Sequence, residues 1–177
     1  MNKSKYNMSL LITPEEIQGR VNELGKVISQ KFDSKNPIFI GVLNGSFMFM
    51  ADLLRRLSID CEMDFIKVRS YMGMKSTGTI QLIKDISADV TNRHVILVED
   101  IIDSGHTISF LRKRIKDASP KSVSIATLLL KPDMANTDFS VNFVGFEIPP
   151  EFVVGYGLDF NQKFRHLDGI YRIDDDI

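Results

Sequence analysis

The sequence is short of several features that would settle its class at once, and each absence excludes something. It has a single cysteine, Cys61, so no intramolecular disulfide framework holds the chain together. Asp60 and Glu62 flank that cysteine and no His or cation does, which suits a small buried hydrophobe better than a nucleophile. An excess of one charge is also missing: 22 Lys and Arg against 23 Asp and Glu give a net charge of -1, and nothing in that balance calls for nucleic acid or a membrane surface as partner. No apolar run is long enough for a signal peptide or a membrane span, and the expected location is the cytosol. His94, His106 and His166 lack metal-ligand spacing, and the glycines form neither a G-x-G-x-x-G pattern nor a Walker A lysine motif. What is left is one ordinary globular domain of 177 residues, large enough for a central sheet covered by helices.

The stretch from Val95 to Thr107 organises the rest. Val95-Ile96-Leu97-Val98 reads as a short buried strand that runs into Glu99, Asp100 and Asp103, then Ser104-Gly105-His106-Thr107, then a helix with Ile108, Leu111 and Ile115 as its apolar stripe. Ligands of open α/β sheets bind where parallel strands end and helices begin, and the free N–H groups of a first helical turn suit phosphate. Three carboxylates within five positions repel one another unless sugar hydroxyls, a divalent cation or a shared proton intervenes. Gly105 beside Ser104 and Thr107 allows backbone donors and two hydroxyls to converge on one anion. Acids for a polyol or metal, next to a nest for phosphate, point to a sugar phosphate; the alternative for Asp103 alone is an N-cap on the following helix.

This motif resembles the phosphoribosyl-pyrophosphate binding motif of the type I phosphoribosyltransferases, in the E-D-I-I-D-[ST]-G form of the hypoxanthine-guanine branch. The resemblance implies that Glu99 and Asp100 hold ribose hydroxyls, that Asp103 acts on the purine, and that Ile101 and the loop Ser104, Gly105, His106 and Thr107 bind the phosphoribosyl group. His106 stands where the family often has Lys or Asn.

Other segments fall into place around that unit. Thr13-Pro14-Glu15-Glu16 starts a helix with a capping box, and Ile17, Val21, Leu24, Ile28 and Phe32 form its stripe. Met1 to Ser9 reads as a loose polar arm, and Tyr171 to Ile177 as a solvated tail. Pro37 to Leu43 predicts a buried strand; Phe47, Met50, Leu53, Leu54 and Leu57 predict a helix face after it. Between them Asn44-Gly45-Ser46 is either a helix start capped by Asn44 or Ser46, or a second anion site. By resemblance, Leu43, Asn44 and Gly45 are the family's pyrophosphate loop, commonly Leu-Lys-Gly with a cis bond before its second residue. Glu62 to Tyr71 and Thr79 to Ile83 predict two arms of a hairpin around a Gly/Ser/Thr segment that resembles the family's lid, with Ser70 and Tyr71 as its Ser-Tyr pair. Asp85 to Arg93 is a polar connector, and Arg112, Lys113, Arg114 and Lys116 form the solvated face of a helix.

Lys121 to Leu130 predicts a further strand that ends at Lys131-Pro132, where a lysine is either a solvent-reaching edge residue or a ligand donor. Phe139 to Gly145 and Phe152 to Val154 predict two more strands. Unaided, Phe152 reads as core and Asp159 as a turn residue. The resemblance assigns them otherwise: Lys131 recognises the purine 6-oxygen, Phe152 stacks on the base, and Val153 offers backbone groups to its edge. Asp159 lies beside the base and a Mg²⁺-bound water, and Arg165 reaches pyrophosphate.

Taken whole, the resemblance runs from Leu10 to about Arg172. It implies an α/β fold, a twisted mostly parallel sheet flanked by helices, with a core at about 33–145 and a small hood subdomain from about 1–20 and 146–177 of one domain. It also implies an enzyme that uses Mg²⁺, held mostly through water by Glu99, Asp100 and Asp159. Its substrates would be 5-phosphoribosyl 1-pyrophosphate and a 6-oxopurine, with pyrophosphate released, in a homodimer or homotetramer. Two rivals remain in view. A response-regulator receiver also ends a strand in an acid pair, but only 77 residues follow Asp100 and none forms its phosphoacceptor strand. A non-catalytic nucleotide-sensing regulator on the same fold would need a basic face or a DNA-binding segment, which charge and length oppose.

Overall fold

The computed structural model describes residues 6–71, 79–136 and 138–174. In chain order, strand β1 (Met8–Ile12) leads to helix α1 (Pro14–Lys31), strand β2 (Ile38–Leu43), helix α2 (Phe47–Leu54) and strands β3 (Glu62–Tyr71) and β4 (Thr79–Lys84). Strand β5 (His94–Ile102), helix α3 (His106–Lys116) and strands β6 (Ser122–Leu130), β7 (Phe143–Glu147), β8 (Val153–Val154) and β9 (Ile170–Ile173) follow. The main sheet has the order β4-β3-β2-β5-β6-β7, parallel throughout except for the antiparallel edge strand β4.

Alternation along the central strands distributes their side chains between two cores. Phe39, Ile96, Val98, Ala126 and Leu128 pack under α1 and α2, whereas Ile38, Ile40, Val95, Leu97 and Ile125 pack under α3. Burial on both faces explains why β5 and β6 read as nearly continuous apolar runs. The expected capping box of α1 is present: Thr13 Oγ1 accepts from the Glu16 amide at 3.2 Å, and Glu16 Oε2 accepts from the Thr13 amide at 2.8 Å. Ile17, Val21, Leu24 and Ile28 are buried as the stripe predicts, and so is Phe32 just beyond the helix.

Several expectations need correction. The polar arm is structured from Met8, because β1 pairs antiparallel with β9 in a small separate sheet, Met8 opposite Ile173, with β8 on the other side of β9. The tail is likewise a strand through Ile173; Asp174 is fixed by Ser9 Oγ at 3.0 Å and Arg172 Nε at 2.8 Å. This three-stranded sheet is the hood. Strand β7 begins at Phe143 rather than 139 because Ala126 of β6 pairs with Phe143; Phe139 instead lies under the Arg112 guanidinium, 4.6 Å from the ring centre. Arg114, expected in solvent, pairs with Asp85 at 2.5 Å. On α2 the buried face carries Phe49, Met50 and Leu53, while Phe47 is 43% exposed. The hairpin arms β3 and β4 are as expected, but the lid segment 72–78 and the side chains of Ser70 and Tyr71 lie outside the described residues. Among the described residues no helix is long and apolar enough to cross a membrane.

Candidate active site

Three loops meet at the carboxyl ends of β2 and β5, where a parallel sheet offers its ligand crevice. They are 43–46 after β2, 99–107 at the end of β5, and 155–165 from the hood. Two adjoining cavities open there. One, of about 240 Å³, is lined by Glu99, Asp100, Asp103, Ser104, Gly105 and Thr107. The other, of about 230 Å³, is lined by Lys131, Phe152, Val153, Leu158 and Asp159; Asp100, Ile101 and Asp103 belong to both.

The loop between β5 and α3 turns at Gly105, whose φ of +83° is one that residues with a β-carbon rarely adopt. Gly105 is also the N-cap of α3, with no side chain bonded across it, so Asp103 is not the cap. The first turn of α3 borders the first cavity through Gly105, Thr107 and Ile108, and the N–H groups of a helix N-terminus suit phosphate. Backbone bonds from Lys131 N to Ile102 O (3.0 Å) and from Asn136 N to Ser104 O (3.2 Å) hold the loop against the end of β6. His106 is exposed.

Carboxylates carry the electrostatic burden. Burial first, and then the charge of Asp100, push the Glu99 carboxyl well above the usual range, and Glu99 Oε2 has no partner. Burial likewise pushes Asp100 up to about 6; the Ile101 amide at 2.9 Å and the charge of Arg165 oppose the rise, and the charge of Asp159 adds to it. Two carboxyls buried this close are costly unless a cation or hydroxyl donors meet them. Asp103 faces a different environment: its Oδ2 accepts from the buried Lys131 Nζ at 3.0 Å, and its Oδ1 has no partner. Lys131 is 7% exposed, so the reading of it as a solvent-reaching edge residue is overturned.

On the hood side Phe152 is 45% exposed and lines the second cavity rather than joining the core; its ring and that of Phe160 are nearly perpendicular, ring centres 5.6 Å apart. Val153 is held by antiparallel pairing with Arg172. Asp159 does hold a turn, accepting from the Gln162 amide at 2.7 Å, and it also pairs with Arg165 Nη2 at 2.7 Å. Arg165 Nη1 donates to Gly157 O at 2.8 Å, so Arg165 is gathered into the hood loop next to the acids. The Leu43–Asn44 peptide is cis. Asn44 is exposed, and Ser46 Oγ turns back to Val42 O at 2.7 Å, so neither side chain caps α2. Gly45 and Gly157 let the loops close on each other: a β-carbon at 157 would overlap the carbonyl oxygen of Gly45. Leu158 and Gly157 are site residues that sequence reasoning did not single out; the two glycines around Tyr156 were the available signal. Among the described residues no three acidic, His or Cys side chains converge to hold a metal ion directly.

Comparisons with known proteins agree with this geometry. The sequence model of the phosphoribosyl transferase domain matches residues 12–161. The hypoxanthine phosphoribosyltransferase of Buchnera aphidicola subsp. Schizaphis graminum is 46% identical over 172 residues, 96% of this chain and 97% of that protein. Among solved structures, a hypoxanthine-guanine phosphoribosyltransferase from Bacillus anthracis superimposes with a TM-score of 0.90 at 41% identity, covering 96% of this chain and 99% of the other. The hypoxanthine phosphoribosyltransferase of Trypanosoma cruzi, solved with the product IMP, gives a TM-score of 0.87 at 33% identity over 98% of this chain and 97% of its own. With motif, loop geometry and whole-chain similarity in agreement, this chain belongs to the hypoxanthine-guanine phosphoribosyltransferase family of the type I phosphoribosyltransferases.

Proposed function

We propose that this member of a purine-salvage enzyme family transfers ribose 5-phosphate from 5-phosphoribosyl 1-pyrophosphate to N9 of hypoxanthine and guanine, releasing pyrophosphate with inversion at C1′. The observation that carries the reading is the Lys131–Asp103 pair, 3.0 Å apart at the junction of two cavities, one walled by acids and a helix N-terminus, the other by an exposed aromatic ring. A 6-oxopurine presents an acceptor oxygen and a ring N–H on the same side. Lys131 supplies the donor for that oxygen, and Asp103 accepts the N7 proton as N9 attacks C1′. Phe152 stacks on the ring, and Val153 meets its edge with backbone groups. The amides of 104–107 hold the 5′-phosphate, Glu99 and Asp100 hold the ribose hydroxyls, and the loop 43–45 receives pyrophosphate.

The orphaned Glu99 Oε2 and the raised carboxyls of Glu99 and Asp100 fit a cation arriving with substrate, which those two residues and Asp159 would hold mostly through water. Mg²⁺ at that place supplies positive charge for the departing pyrophosphate. Holding both substrates along the C1′ axis contributes much of the remainder, since pre-orientation can remove about 7–11 kcal/mol of barrier. The reading includes a homodimeric or homotetrameric assembly in the cytosol.

The test is a spectrophotometric assay of purified protein with phosphoribosyl pyrophosphate, Mg²⁺ and, in turn, hypoxanthine, guanine, xanthine and adenine. IMP and GMP should form, and AMP should not. Adenine turnover at a comparable rate, or no turnover of any base while phosphoribosyl pyrophosphate still binds, would overturn the assignment.

A further inference from the structure

We infer that Tyr156 and Asp52 are a positioning pair, which pins the purine-side loop 155–159 of the hood onto the pyrophosphate-side loop 43–46 of the core. Tyr156 is 2% exposed and touches neither cavity, yet its backbone sits at φ +47°, a conformation rare for a bulky residue. Its hydroxyl donates to Asp52 Oδ2 at 2.5 Å. Asp52 belongs to α2, the helix that starts directly after the 43–46 loop, and Met50 N bonds Ser46 O at 2.8 Å, so loop and helix are one continuous piece. Gln18 of α1 donates to the same Asp52 oxygen at 2.8 Å and accepts from Arg56 at 3.0 Å; Arg55 pairs with the other oxygen.

The next residue shows what the anchor holds. Gly157 lies so close to Gly45 that a β-carbon would overlap the Gly45 carbonyl oxygen, and Gly45 in turn abuts the carboxylate of Asp100. The Gly157 amide donates to Arg165 O at 3.0 Å, and its carbonyl accepts from Arg165 at 2.8 Å. A continuous line of contacts therefore runs from Asp52 through Tyr156, Gly157 and Gly45 to Asp100, with the phenol hydroxyl as its polar fastening. The phenol is pushed up by burial and by Asp52, so it stays a donor across the working range. Asp52 is raised by burial but brought below its usual range by the donors from Tyr156, Gln18 and Arg55, so it stays an acceptor.

The kinetic half of the test rests on the proposed transferase reaction; the second half does not. Tyr156→Phe and Asp52→Ala should each raise KM for phosphoribosyl pyrophosphate and lower kcat/KM by roughly 10-fold, the scale of one lost hydrogen bond to a charged partner. The double variant should be no worse than either single one, and Asp52→Asn, which keeps an acceptor oxygen, should restore most of the loss. Variants that lower Tm but keep wild-type KM and kcat well below it, or a double variant with multiplied losses, would overturn the inference. Hydrogen exchange on the substrate-free protein tests the contact itself: in Tyr156→Phe, segments 43–50 and 153–160 should lose protection together. Loss confined to 153–160 would overturn it, and an inactive wild type would count against the reaction while leaving this measurement decisive.

Discussion

Gly45 and Asp100 share one wall of the site: a β-carbon on residue 45 would overlap the Asp100 carboxylate. The loop that would receive pyrophosphate therefore has no room for a side chain at 45, and the acid that would hold ribose is set against the backbone at that position. Gly45→Ala should lower kcat/KM for phosphoribosyl pyrophosphate about 100-fold, because displacement of order 1 Å in a positioned site costs that much. It should also cost about 1–3 kcal/mol of stability by overpacking. Steady-state kinetics and thermal melts decide it; a wild-type KM in the alanine variant would mean that the loop can yield freely.

Asp103 has one oxygen on Lys131 and one without a partner, which leaves the second free to take a proton from substrate. Asp103→Asn keeps the shape and removes the basicity. Its kcat should fall by about 10²–10⁴, the usual worth of a positioned general base, with KM for phosphoribosyl pyrophosphate little changed. Equal losses in kcat and in affinity for that substrate would assign Asp103 to binding instead.

Lys131 is the cation of the second cavity, and its removal should be felt on the base rather than on the sugar. Lys131→Ala should lower kcat/KM for hypoxanthine by roughly 10–100-fold, matching a lost charged hydrogen bond, and narrow the preference for hypoxanthine over adenine. Comparison of the two bases in the same assay checks both points. An unchanged hypoxanthine-to-adenine ratio would remove Lys131 from specificity.

These residues differ in how far their places in the fold could be read from sequence. The course of Glu99 to Thr107 was legible because strand, acids, turn and helix start lie in one contiguous run. Helix α1 was legible for the same reason, since the Thr13–Glu16 capping box is a local event. The hood strands were not: Met8 pairs with Ile173 across nearly the whole chain, and strands of five and four residues carry too little alternation to announce themselves. Phe47 lies off the buried face of α2 despite its spacing to Met50 and Leu54, because an eight-residue helix has little more than two turns in which to set its phase. The contacts of Lys131 with Asp103, Tyr156 with Asp52 and Gly157 with Gly45 are products of the chain path, and residue type alone gave no sign of the partners.

Away from the site, Asp64 fastens the connector 85–93 to β3, and this gives a pH dependence with a definite sign. Its Oδ2 accepts from the amides of Ser87 at 2.5 Å and Ala88 at 2.9 Å, while Oδ1 accepts from the Phe65 amide at 2.7 Å and Lys84 at 3.3 Å. Burial raises the carboxyl, but these donors outweigh it and bring it from 3.8 to about 2. The folded value lies below the unfolded one, so the unfolded chain binds more protons in between. The stabilisation is fully present above about pH 4–5 and is lost as the pH falls through about 2; its size is about 2 kcal/mol. Asp64→Asn keeps one acceptor and turns the other oxygen into a donor facing the Ser87 and Ala88 amides. Denaturant melts should therefore show the variant less stable at pH 7, with the gap to wild type shrinking by roughly half at pH 3. A gap of equal size at both pH values would show that these hydrogen bonds owe nothing to the charge on Asp64.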